Sequence, residues 1–246
     1  MAKKKKKRSR KKELHPVRLD PVKEFLKLLD SNKRLGWYEV FRLTIDLMFY
    51  GVTRNDEEYL KIVPKLGEDY VRAVPKWIGT VIYHWQLDQQ AQDVLGMAYQ
   101  QWGAADKKHF AQYFTPMPVA QMMAKMTLGD IKSEQFEKPE GLTLGEPAVG
   151  SGVMILAALN EILAQHGYWG VSRTRVTGID VDRLMCEIAA IQCFFFAWAI
   201  APVGEILILR GSSLGDPKEL VPVAHWLHDN FMDQPPPTGL EQMQMF

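Results

Sequence analysis

Apolar positions recur along this chain with two different periods, and the change of period divides it. From His15 to about Lys108 the spacing is helical. Asp20 stands where an N-cap is expected and Pro21 fits a first helical position. Phe25, Leu26, Leu28 and Leu29 then make an apolar stripe. Tyr38, Phe41, Ile45, Leu47, Met48 and Phe49 make a second stripe, stopped near Gly51. Asn55-Asp56-Glu57-Glu58 reads as another helix start, because acids are favoured in a first turn. Pro64 and Pro75 punctuate the next stretch of chain, and further helices are predicted over Trp77–Leu87 and Gln90–Trp102. Thr115 is placed to cap a helix that begins at Pro116 or just after and runs through Met123 and Met126.

From Leu142 onward short apolar runs alternate with long helical ones. Leu142-Thr143-Leu144 fits a buried strand, which ends at Glu146-Pro147 and a small-residue turn, Ala148-Val149-Gly150-Ser151-Gly152. A helix is predicted over Val153–His166, a second strand over Arg175–Asp180, and a helix from Arg183 to about Ile200. Glu205–Leu209 is a third strand, followed by Arg210-Gly211-Ser212-Ser213-Leu214. Strand, helix, strand, helix, strand predicts an α/β, Rossmann-like parallel half-sheet whose strand C-terminal ends line up. The residues after Arg210 read as helical or irregular. Four regions result: a disordered basic tail (1–14), a helical domain (15–108), an α/β core (109–217) and a C-terminal extension (218–246).

Composition changes this picture at one end. Apolar residues make up 47% of the 246, enough to bury a core. The formal net charge of +1 hides an asymmetry. Lys3, Lys4, Lys5, Lys6, Lys7, Arg8, Arg10, Lys11 and Lys12 are nine of the 30 basic residues; the 21 others face 29 acids, so the body carries about −8. The tail is the one strong handle for a polyanion such as DNA, or else a solvated tail without a partner. No apolar segment follows it as a secretory signal would require, and no apolar run is long enough to span a bilayer. Cys186 and Cys193 lie two turns apart in one predicted helix, too far for a disulfide within it, and read as buried thiols of a cytosolic protein. They lack CxxC spacing and a His partner, so no metal is expected.

The chemistry gathers at the strand ends. Two glycines in three residues, between a strand and a helix, let a ligand approach bare backbone N–H groups. The same layout also serves as a tight turn with no ligand. Asp180 ends the second strand, where an acid commonly takes ribose hydroxyls; Asp182 shares that place or caps the next helix. A dinucleotide would want a third glycine where Ile155 stands, and Glu146 would repel a pyrophosphate. A carboxylate there attracts an ammonium instead, so the expected ligand carries an amino group and a ribose without phosphate, as S-adenosylmethionine does. Gln112, Tyr113 and Phe114 sit at the entry to a helix, positioned either to stack on a ligand or to form a hydrophobic staple.

Gln112 to Pro116 (QYFTP), Glu146 to Gly152 (EPAVGSG), Ile179 to Asp182 (IDVD) and Gly211 to Leu214 (GSSL) stand in the order found in adenine-N6 DNA methyltransferases. Over roughly residues 90–215 the chain resembles the modification subunits of type I restriction-modification systems. The resemblance implies an S-adenosylmethionine-dependent methyltransferase core preceded by a helical N-terminal domain. It implies that Tyr113, Phe114 and Thr115 contact the methionine end of the cofactor and that Ala148, Gly150, Ser151 and Gly152 bring backbone to it. Asp180 would take the ribose, Val181 and Asp182 would flank the adenine, and Ser212 would lie near the adenine edge. Glu146 replaces the family's usual Asp. The family's [DNS]-P-P-[YF] motif, which holds the target amine and stacks on a flipped base, is absent. Asp233-Gln234-Pro235-Pro236-Pro237 has no aromatic after the prolines and reads as a polyproline linker or tail, so no catalytic residue is assigned. An incomplete sheet is expected, its first strand covered by the N-terminal helices, the C-terminal tail or a second chain. Two roles stay open: DNA methylation by this chain, alone or with a protein partner or as a homo-oligomer, and a catalytically inactive homologue that regulates restriction-modification.

Overall fold

A computed structural model describes residues 19–103, 115–129 and 131–228. The basic tail, Gln112 to Phe114 and the 233–237 proline run lie outside them. Helices α1 (Pro21–Ser31), α2 (Trp37–Val52), α3 (Asp56–Leu66), α4 (Glu68–Asp88) and α5 (Val94–Gly103) form the N-terminal region. Asp20 caps α1, its Oδ1 accepting from the N–H of Val22 and Lys23, and Asn55 caps α3 through Glu58 N–H. The two apolar stripes are the buried faces of α1 and α2, except that Leu26 is half-buried and Tyr38 is 52% exposed.

Pro75 does not interrupt the chain as expected: it sits inside the 21-residue α4. A proline within a helix costs about 3 kcal/mol. Tyr70, Val74, Trp77, Val81 and Trp85 are buried along α4, and that packing outweighs the loss. Pro64 falls in the last turn of α3. Residues 90–93, expected to be helical, instead lead into α5.

α6 (Met117–Leu128) and the single turn α7 (Glu134–Glu137) connect to the sheet. Pro116, not Thr115, is the N-cap of α6, and no side chain caps it. The Pro116 carbonyl itself accepts from the N–H groups of Val119 and Ala120, and Pro118 removes one donor that a cap would have served.

The sheet runs β1 (Leu142–Glu146), β2 (Thr174–Asp180), β3 (Glu205–Arg210) and β4 (Val221–Leu227), in that order. β1, β2 and β3 are parallel, joined by α8 (Val153–Ser172) and α9 (Arg183–Ala199); α8 runs past the expected end at His166 across a kink at Gly167. This is the α/β fold expected, with a helical region ahead of it. α8 lies on β1 and β2, α9 lies on β2, β3 and β4, and the two helices touch, so they cover one face. Val176, Ile206, Ile208 and Ala224 point into that layer and are buried.

β4 corrects the expectation of helical or irregular chain after Arg210. It pairs antiparallel with β3 after a loop holding a short 3-10 turn, Pro217–Glu219. Pro222 hid it, since proline fits only an edge strand or a bulge. Among the described residues β4 is an edge strand, and its register slips beside Pro222. Among the described residues β1 is the opposite edge, with no strand on its outer side.

Candidate cofactor-binding site

The site grows from the C-terminal ends of β1, β2 and β3. Glu146 is half-buried where β1 stops, and its Oε1 accepts from Ala148 N–H at 3.2 Å, bending the chain around Pro147. Val149 is buried, and its N–H donates to the Ile179 carbonyl at 2.8 Å, which laces the turn to β2. That approach requires a glycine at 178, because a Cβ there would lie 2.8 Å from Val149 Cγ2. Gly150 (φ 50°) and Gly152 (φ 91°) adopt left-handed backbone that a side chain would strain. α8 starts at once, with Leu156 N–H on the Gly152 carbonyl at 2.9 Å.

Asp180 is the tie between the two halves of the site. Its Oδ2 accepts from Gly150 N–H and its Oδ1 from Asp182 N–H, each at 2.9 Å. A carboxylate has about four lone-pair positions, so two bonds leave acceptors for ligand hydroxyls. Asp182 caps α9, its Oδ1 accepting from Leu184 N–H at 2.9 Å. Gly211 N–H donates to the Asp180 carbonyl at 2.8 Å, bringing in the end of β3; Val181 and Ser212 are exposed there.

The strand ends thus gather Glu146, Ala148, Gly150, Gly152, Asp180, Val181, Asp182 and Ser212. Ser151 departs from them: its side chain is fully buried and its Oγ donates to Asp93, leaving only main chain for a ligand. Thr115 is half-buried just ahead of α6, while Tyr113 and Phe114 are outside the described residues. Three carboxylates outnumber the cations at the ends, where Arg210 stands exposed as the last residue of β3 and Arg183 is drawn off to Glu187 at 2.8 Å. This donor set suits a ligand with positive charge and hydroxyls and would repel a pyrophosphate. Glu146 also lines a cavity of about 220 Å³ with Met123, Thr127, Leu144, Met154 and Ala158. The other strand-end residues do not line it, so it is a groove on the outer side of β1.

Burial sets the protonation of the groups behind the site. Cys186 Sγ lies 3.6 Å from the Asp180 carbonyl oxygen and 3.5 Å from that of Leu209, and burial pushes its thiol up to about 12. Glu187, fully buried on α9, is raised by burial against the pull of Arg183 and Arg42. Arg42 Nη2 on α2 lies 2.7 Å from both Glu187 and Asp46, so this charge cluster clamps the helical region onto α9.

Two residues escaped the sequence reading. Asp93 and Gln192 are buried behind the glycine turn, bonded to Ser151 and to each other. An Asp ahead of a helical run is an N-cap signal that locates the start of α5. Its bond to a serine 58 positions later carries no sequence signature.

Among the described residues no helix is long and apolar enough to cross a membrane, and no group of three or more His, Cys, Asp or Glu could hold a metal ion. The family described as N-6 DNA methylase matches the chain over residues 90–233. No curated protein matches it. Among solved structures, a Listeria monocytogenes protein provisionally assigned as a class I S-adenosylmethionine-dependent methyltransferase is 14% identical, with a TM-score of 0.44 over 80% of this chain. The present chain spans about half that protein's length, 55%.

Proposed function

We propose, from the premise that the chain belongs to the N-6 DNA methylase family, that it binds S-adenosylmethionine at the ends of β1, β2 and β3 and serves methyl transfer to adenine N6 in DNA. The observation that carries the reading is the Asp180 carboxylate bonded to Gly150 N–H. It joins the glycine turn and the end of β2 into one edge lined by carboxylates. Glu146 draws the ammonium of the cofactor, and the family resemblance assigns Tyr113, Phe114 and Thr115 to contacts with its methionine end. Gly150 and Gly152 let backbone approach it. Asp180 takes the ribose, while Val181, Asp182 and Ser212 border the adenine. The bound cofactor supplies a methyl group activated on a sulfonium.

Transfer to an amine needs a positioned nucleophile and a pocket for the flipped base. The [DNS]-P-P-[YF] group that provides these in the family is absent from this sequence. On this reading the chain methylates DNA itself, with a protein partner or as a homo-oligomer, as part of restriction-modification. Lys3 to Lys12 give nonspecific hold on DNA, since the rest of the chain is acidic. Cys186 and Cys193, both free and buried, fit a reducing cytoplasm.

The missing motif also favours a second reading, an inactive homologue that binds the cofactor and modulates restriction-modification. Labelled methyl transfer to duplex DNA separates the two. The chain is assayed alone and mixed with type I restriction-modification subunits. Label on adenine N6 in either arm supports the first reading. Silence in both arms, with cofactor binding intact, supports the second.

A further inference from the structure

Behind the glycine turn, on its interior side, lies a buried polar cluster. Asp93 is 3% exposed, Ser151 0% and Gln192 1%. Asp93 Oδ2 accepts from Ser151 Oγ at 2.7 Å, and its Oδ1 accepts from Gly96 N–H at 2.9 Å and Gln192 Nε2 at 2.8 Å. The same Gln192 nitrogen donates to the Ser151 carbonyl at 2.7 Å, and Gln192 Oε1 accepts from Leu95 N–H at 3.2 Å. Both the side chain and the carbonyl of Ser151 are therefore held, one by Asp93 just ahead of α5 and the other by Gln192 on α9.

A buried carboxylate without a cation is costly, and among the described residues the donors to Asp93, from Gly96, Ser151 and Gln192, are all uncharged. An apolar residue would fill the place at less expense if packing were its only task. A second observation points the same way. Gly96 permits the approach: a Cβ there would stand 2.3 Å and 2.5 Å from the Asp93 carboxylate oxygens and 2.6 Å from Ser151 Oγ. The first turn of α5 is thus shaped to reach Ser151, the residue between the two left-handed glycines of the turn.

We infer that Asp93 is a positioning residue for the cofactor, fixing Ser151 so that the Gly150 and Gly152 backbone is presented to the ligand only when α5 is docked. The inference rests on S-adenosylmethionine binding at this turn. It makes the helical region part of the cofactor site without touching the cofactor: α5 sets the shape of the turn, and Gln192 locks that shape to α9.

The test compares S-adenosylmethionine affinity and thermal stability in the full chain, using Asp93→Asn, Ser151→Ala, the double variant, and Asn160→Ala as a control. Asn160 is a buried tie of the same segment to α8, bonding both the N–H and the carbonyl of Ala91 at 2.9 Å away from the turn. Affinities are measured where circular dichroism shows each variant folded. Expected are tenfold or greater losses of affinity for Asp93→Asn and Ser151→Ala, non-additive in the double variant. Asn160→Ala should melt earlier yet bind within about twofold of the parent. Unchanged affinity in Ser151→Ala, or an equal loss in Asn160→Ala, overturns the positioning role. If Asp93→Asn fails to fold, Ser151→Ala against Asn160→Ala decides alone. Failure of the unmodified chain to bind overturns the cofactor assignment itself and this role with it.

Discussion

Removing the Asp180 carboxylate should loosen the strand ends by a calculable amount. Asp180→Ala deletes two charge-assisted hydrogen bonds, to Gly150 N–H and Asp182 N–H, each 2.9 Å long. Such bonds contribute about 2 kcal/mol each when buried, so the ceiling is about 4 kcal/mol. Both N–H groups belong to half-buried residues, and water reaching them recovers roughly half of that. A loss of about 2 kcal/mol lowers Tm by roughly 4–8 °C in a chain of this size. Asp180→Asn keeps one acceptor oxygen, so about half the loss is expected. Thermal unfolding followed by circular dichroism should rank the parent above Asn and Asn above Ala. S-adenosylmethionine affinity should fall in the same order. Equal melting temperatures in all three proteins would refute the tie between the glycine turn and β2.

Glu187→Gln removes the carboxylate shared by Arg42 and Arg183 in the clamp between α2 and α9, while Arg42 keeps Asp46 and both arginines reach solvent; urea unfolding should show a loss of about 1–2 kcal/mol. Gly152→Ala places a Cβ at φ 91° and 3.3 Å from Ala189, costing about 1–2 kcal/mol from the left-handed backbone alone, and a melt should register it. Burial pushes the thiols of Cys186 and Cys193 from 9 up to about 12. Raised folded values favour the neutral thiols, so their contribution is whole below pH 9 and is lost as pH rises toward about 12. The native chain should resist iodoacetamide at pH 8 and react once urea unfolds it; alkylation at the rate of a free thiol in the native state would contradict this.

What could be read from the sequence was whatever depends on near neighbours. The Asp20 and Asn55 caps, the stripes of α1 and α2, and the βαβ alternation around Gly150 are encoded within a few residues of where they act. Pro75 misled because its local penalty is outweighed by burial along the whole of α4. Pro222 hid β4 because a strand that pairs at an edge and slips at a bulge tolerates a residue that a central strand excludes. The site divides the same way. Gly150, Gly152, Asp180 and Asp182 announce themselves by position after strands. The burial of Ser151 against Asp93 and Gln192 depends on α5 and α9 meeting behind the turn, a long-range packing event with no local pattern.

Calorimetric titration of the chain with S-adenosylmethionine, beside a matched titration with NAD⁺, tests the central claim most directly. The carboxylates of Glu146, Asp180 and Asp182 around a two-glycine turn predict saturable binding of S-adenosylmethionine at one site, lost in Gly150→Leu, and no heat with the pyrophosphate-bearing NAD⁺. No heat with S-adenosylmethionine, or tighter binding of NAD⁺, would contradict it.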